Sequence, residues 1–173
     1  MNTEIPARNS AIEDPQPSCQ TVVKVLLISP CDEDHQGLRE ILRHSKWEQY
    51  GVRTQNEGLE FLRTNVAPVV ICESELPDGT WKGLLNQFAC MQCAPALVVS
   101  SCIADEVLWS ETVNLGAYSV LAKPFDMKEV VHVVSCAWLN WKDKWEPRKR
   151  ESVKSHSVWP ETQRKLARVK AVS

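Results

Sequence analysis

Five short, largely apolar runs, at 23–28, 51–54, 68–72, 96–99 and 118–122, are separated from one another by segments long enough for crossover helices. The first run, Val23–Ile28, is nearly continuous and β-branched, the pattern of a strand buried on both faces of a parallel sheet. Between and after the runs, apolar residues recur at helical spacing. They are Leu38, Ile41 and Leu42; Leu59 and Leu62; Leu84, Leu85 and Phe88; Val107, Leu108 and Leu115; and Val130, Val131, Val133 and Val134. The alternation predicts an α/β chain of five βα repeats, with all of these apolar residues in its core.

An open α/β sheet binds its ligands beyond the carboxyl ends of its strands. The residues at those ends are Ser29, Glu73, Ser100 and Lys123. A carboxylate, hydroxyls and an ammonium converging there would form a compact, ion-paired cluster. Polar strand ends meeting solvent would leave the same trace in the sequence.

Pro77 stands four residues after Glu73, with Gly79 just beyond; Pro95 opens the fourth run and Ser100-Ser101 closes it. Gly116-Ala117 precedes the fifth run and Lys123-Pro124-Phe125 ends it. In order and spacing these pieces resemble the receiver domain of bacterial two-component response regulators, over roughly residues 23–141. The resemblance implies a flavodoxin-like, doubly wound (βα)5 sandwich with a five-stranded parallel sheet in the order 2-1-3-4-5. It also implies a cis peptide bond before Pro124.

The family pattern further implies a phosphate-accepting aspartate at the end of the third strand and a magnesium-binding acid pair after the first. This chain departs at both places. The acceptor position falls on Glu73 and the acid-pair positions on Ser29 and Pro30, while the phosphate-pocket hydroxyl and lysine are kept as Ser100 and Lys123. The aromatic switch position of the fifth strand falls on Val120. Without the acid pair most magnesium affinity is lost, so no cofactor is expected. The extra methylene of Glu73 displaces its carboxylate by about an ångström, enough to misalign a reacting group. A glutamate of that reach would instead hold negative charge permanently against Lys123 and Ser100; the alternative is a drifted position with an incidental salt bridge to Lys123.

Asp32, Glu33 and Asp34 lie just past the first strand. They fit the first turn of a helix, where acids complement the dipole; the alternative is that they replace the missing magnesium ligands. Receivers commonly signal through their fourth and fifth helices and the strand between. The resemblance therefore makes Trp109, Val120, Trp138 and Trp141 candidates for a homodimer or partner surface, with three-residue spacing placing Trp138 and Trp141 on nearly one helix face; aromatics at these places serve equally as core.

Residues 1–21 contain Pro6, Pro15 and Pro17 without periodicity and read as a disordered leader; residues 22–141 form the receiver-like domain and 142–173 a basic, flexible tail. Ten Lys/Arg against four Asp/Glu fall in 142–173, although the whole chain carries a net charge of -2. Trp145, Trp159 and Arg148-Lys149-Arg150 suit nucleic acid or an acidic partner, but a tail of this size has no room for a winged or helix-turn-helix module. Seven cysteines without a signal peptide point to free thiols in a reducing cytoplasm, and no segment approaches a membrane span. Cys72 and Cys102 are read as buried, and Cys90 and Cys93 have CxxC spacing without a second ligand pair.

The expectation is a stand-alone atypical receiver, not an enzyme, acting as a phosphate-independent interaction module whose partner is a histidine kinase or an output protein. The alternatives are a phosphorylatable receiver using the acids at 32–34, a nucleic-acid binder acting through its basic tail, and a thiol-redox protein acting through Cys90 and Cys93.

Overall fold

The computed structural model describes residues 22–43 and 45–145. The leader at 1–21 and, from residue 146 onward, the basic tail with Trp159 and the 148–150 cluster lie outside the described residues.

Five strands form one parallel sheet: β1 (Val23–Ile28), β2 (Trp47–Val52), β3 (Val69–Glu73), β6 (Ala96–Ser101) and β7 (Ser119–Ala122), in the order β2-β1-β3-β6-β7. In chain sequence this is the expected 2-1-3-4-5. Between β3 and the third helix lies a small antiparallel pair, β4 (Glu75–Leu76) and β5 (Gly79–Thr80), which the apolar pattern does not announce. The helices are α1 (Asp32–Leu42), α2 (Gln55–Thr64), α3 (Trp81–Phe88), α4 (Glu106–Leu115) and α5 (Met127–Trp145).

Strand side chains alternate between faces, and this divides the apolar residues into two cores. Leu26, Ile28, Val70, Cys72, Leu97 and Val99 fill one, with Leu59 and Leu62 of α2, Leu84 and Phe88 of α3 and Leu108 of α4. Val25, Leu27, Val69, Ile71, Val98 and Leu121 fill the other, with Leu38 and Leu42 of α1 and Val130 and Val134 of α5. Complete removal of such a side chain from water contributes about 1.5–3 kcal/mol. The approach of α2 to the sheet is close: a Cβ on Gly58 would stand 2.5 Å from Ile28 Cδ1. Gly116, at φ 98°, closes α4 in the left-handed region that favours glycine.

Four expectations are corrected. The second strand is β2 at Trp47–Val52 rather than 51–54, because an edge strand with half-exposed Trp47, Gln49 and Tyr50 carries no apolar run. In α4 only Leu108 packs inward; Val107 and Leu115 are exposed, and the fully buried residue is Thr112. In α5 Val131 is exposed while Val130 and Val134 are buried. The helix also continues through Lys142–Trp145, the first residues assigned to the tail, and the Trp145 indole N–H donates to the Ala94 carbonyl at 3.2 Å.

Candidate functional site

The sheet alternation that builds the α1/α5 core also decides what stands at its upper edge. Ser29 follows Val25 and Leu27, Glu73 follows Val69 and Ile71, Ser100 follows Val98, and Lys123 follows Leu121, so all four belong to the face covered by α1 and α5. On α1, Asp34 stands one turn before Leu38 and two before Leu42, on the same inward stripe, and is itself buried. Strand period and helix period thus deliver five polar side chains to one place.

Three of the five form an ion-paired cluster. The Lys123 ammonium donates to Glu73 Oε2 and, at 3.0 Å, to Asp34 Oδ2. Their side chains are only 10, 14 and 9 % exposed for Lys123, Glu73 and Asp34. The Ser29 hydroxyl donates to the same Asp34 oxygen at 2.5 Å and accepts from the Cys31 amide at 3.2 Å. Glu73 Oε1 accepts from the Ser74 amide and hydroxyl, each at 3.3 Å. Burial disfavours the charged ammonium, yet hydrogen bonds and charge from Glu73 and Asp34 outweigh it and raise the Lys123 pKa above the usual lysine value. Burial and then the Glu73 charge push the neighbouring Cys72 thiol up to about 12, so Cys72 is an inert core residue. The Lys123–Pro124 peptide bond is cis.

Asp34 is the member the sequence reading missed. Its position suits a helix-opening acid, with magnesium binding as the alternative; its carboxylate instead faces the lysine. The available signal was its place four residues before Leu38 on the apolar stripe. Asp32 pairs with Arg53 at the surface, and Glu33 is exposed on the first turn. Pro30 offers only its carbonyl, which accepts from Arg53 Nη1 at 3.1 Å. Ser100 lies on the right face, but its fully buried hydroxyl has no hydrogen-bond partner among the described residues, so it does not join the cluster. Its neighbour Ser101 accepts from the Ile103 amide at 3.1 Å and lies 3.4 Å from the Ser74 hydroxyl.

The expected interaction surface divides. Trp109 is 56 % exposed on α4, whereas Val120 is buried at 8 % and presents nothing to a partner. Trp138 packs edge-on against Trp47, ring centroids 5.9 Å apart, and covers the rim of the α1/α5 core. Trp141 is half-buried, and its buried indole nitrogen has no partner among the described residues. Cys102 is exposed rather than buried, because it follows the last residue of β6; Cys90 and Cys93 are exposed free thiols in the turn after α3. Among the described residues no group of three or more His, Cys, Asp or Glu is arranged to hold a metal ion, and no helix is long and apolar enough to cross a membrane.

The overall geometry is shared with solved structures. A signal receiver domain of a putative LuxO repressor protein from Vibrio parahaemolyticus superposes with a TM-score of 0.66 at 16 % identity, covering 70 % of this chain and 94 % of that one. The signal receiver domain of an HD domain-containing protein from Pseudomonas fluorescens Pf-5 gives 0.64 at 20 % identity, covering 70 % and 90 %. A putative response regulator from Chloroflexus aurantiacus gives 0.63 at 21 %, covering 68 % and 98 %. The chain has the receiver-domain fold. No family model matches the sequence, and no curated protein does. At identities this low the likeness establishes architecture; the chemistry of the strand ends has to be argued from Asp34, Glu73 and Lys123 themselves.

Proposed function

We propose that this chain is an atypical receiver that acts in two-component signal transduction as a protein-interaction module without phosphorylation. The observation that carries the reading is the Lys123 ammonium held between two nearly buried carboxylates, Asp34 on α1 and Glu73 on β3. In a phosphate-driven receiver a metal and a phosphoryl group would contribute charge to such a site; here Lys123, Asp34 and Glu73 already set opposite charges against one another within the chain. Glu73 stands where the resemblance places the acceptor, and its carboxylate is already bound.

The donor set does not suit magnesium. A hard dication needs several oxygens free to meet it. The Ser29 hydroxyl donates a hydrogen bond to Asp34, the Pro30 carbonyl accepts from Arg53, and both carboxylates are paired with an ammonium that magnesium would have to displace. No catalytic turnover is assigned to the site.

One observation favours the alternative of a working phosphorylation switch: Asp34 does bring an acid into the pocket beside the acceptor position. Titration with magnesium and beryllofluoride separates the two readings, read by amide NMR shifts at Glu73, Ser100 and Lys123. The phosphate-independent reading expects no saturable shift. A saturable, magnesium-dependent shift along β3 would overturn it and establish the switch. For partner binding, Glu73→Gln removes the charge at nearly constant shape. A signalling partner that reads the charge-held state should bind this variant less or more tightly, and equal affinity counts against the reading.

A further inference from the structure

Beside the cluster, between β4, the start of α3 and the start of α4, lies a cleft of about 570 Å3. Its chemistry is of two kinds. The carboxylates of Glu73, Glu75, Asp105 and Glu111 line it against the single ammonium of Lys82, which pairs with Glu111 at 2.5 Å. Its apolar wall is formed by Trp81, Leu108 and two side chains left largely in water, Ile103 at 73 % and Val107 at 74 % exposure. A groove with an acidic rim and an uncovered apolar wall is complementary to a segment that alternates basic and apolar residues.

This chain contains such a segment. Residues 164–172 read Arg-Lys-Leu-Ala-Arg-Val-Lys-Ala-Val, and no acidic residue follows Glu161. Residues 22–145 carry eleven Lys/Arg against sixteen Asp/Glu, whereas 146–173 carry eight against three. We propose that residues 164–172 occupy the cleft of their own chain, placing their basic side chains against Glu75, Asp105 and Glu111 and their apolar ones against Ile103 and Val107.

Reach selects this segment over the other basic cluster. Trp145 is fastened to Ala94, two residues before the start of β6, while the cleft opens at the far end of that strand beside Ser101. The nineteen residues of α5 span about 28 Å, and the sheet beneath it is no longer. Residues 146–163 can extend about 60 Å, twice the distance needed. Arg148-Lys149-Arg150 lies within about 17 Å of the anchor at full extension and falls short. Occupation would cover Val107 on α4, so a partner using that face would have to displace the tail. The proposal stands whether or not the Lys123 cluster is phosphate-independent.

The test uses the full chain. Amide spectra of the wild type are compared with those of Arg164→Glu/Lys165→Glu/Arg168→Glu/Lys170→Glu at low and high salt, and a second variant, Glu75→Lys/Asp105→Asn, alters the cleft while keeping a capping side chain on α4. The expected result is shift differences concentrated at Trp81, Lys82, Cys102 and Val107, independent of protein concentration, diminished by salt and seen with both variants. Differences confined to the last turn of α5 overturn the proposal. Differences that grow with protein concentration also overturn it, by assigning the cleft to the tail of a second copy.

Discussion

The two flanks of the strand ends are built to different standards. On the α1 flank a buried carboxylate, Asp34, has both a lysine and a hydroxyl as partners, and Leu38 and Leu42 continue the same stripe into the core. On the α4 flank the buried hydroxyl of Thr112 has no partner among the described residues, while Val107, Trp109, Val113 and Leu115 are exposed on the outer side of the helix. A satisfied buried polar network rigidifies its surroundings, and an unsatisfied one costs free energy that another arrangement of the element can recover. The difference teaches how each flank is held: α1, β3 and β7 are fastened together by the Lys123 cluster, whereas α4 meets the sheet through apolar contact at Leu108.

The largest expected effect comes from breaking the satisfied flank. Lys123→Met leaves Asp34 and Glu73 buried without their cation and should cost about 3–5 kcal/mol in urea unfolding. Adding Asp34→Asn and Glu73→Gln to that variant should return most of the loss. A cost below about 1 kcal/mol would mean that water already screens the cluster, and the contrast between the flanks would fail. The pH dependence has a definite sign. The folded-state lysine pKa is raised, so its contribution is full below the unfolded value of about 10.5 and is lost only as pH rises through the higher folded value. The gap between wild type and Lys123→Met should therefore be flat through neutrality and close only in strong alkali.

The α4 flank predicts the opposite sign. Thr112→Val removes a buried hydroxyl that has no partner among the described residues, at similar volume, and should stabilise the protein by about 1 kcal/mol, seen as a higher urea midpoint at unchanged slope. Destabilisation would show that the hydroxyl has a partner after all and would erase the comparison.

Asp78 offers an effect of similar size away from both flanks. Its carboxylate accepts from the amides of Gln55 and Asn56 at 2.8 and 2.9 Å, capping α2 from the turn between β4 and β5. Asp78→Ala should cost about 1 kcal/mol. Desolvation works against its charge, but the amide hydrogen bonds prevail and lower its pKa, so the contribution is present above about pH 4 and is lost as pH falls through the lower folded value. The smallest effect is expected at Lys82→Ala, whose ion pair with Glu111 is exposed and contributes about 0.2–1 kcal/mol. Because that pair ties α3 to α4, its loss should speed hydrogen exchange in α4 more than in α1.

The fold was legible wherever strands are buried on both faces. Val23–Ile28 was located to the residue, and the strand order followed from the resemblance. Reading failed where tertiary context overrides apolar content: β2 is an edge strand that alternates with water, and α4 buries Thr112 while exposing Val107. At the site, Glu73 and Lys123 were legible because both stand at the ends of apolar runs. Asp34 was not, because three successive acids at a helix start look alike until the period that carries Leu38 and Leu42 is extended backward to the one that points inward. Nor does sequence reveal that Ser100, on the correct face, has no hydrogen-bond partner for its hydroxyl among the described residues.

The bridging of Asp34 and Glu73 by a lysine of the same chain has a stoichiometric consequence. A cation supplied by the polypeptide is present once per molecule from the moment of folding, and it neither follows the magnesium level of the surroundings nor yields to a chelator. The positive charge between these two carboxylates is therefore inherited with each copy of the chain.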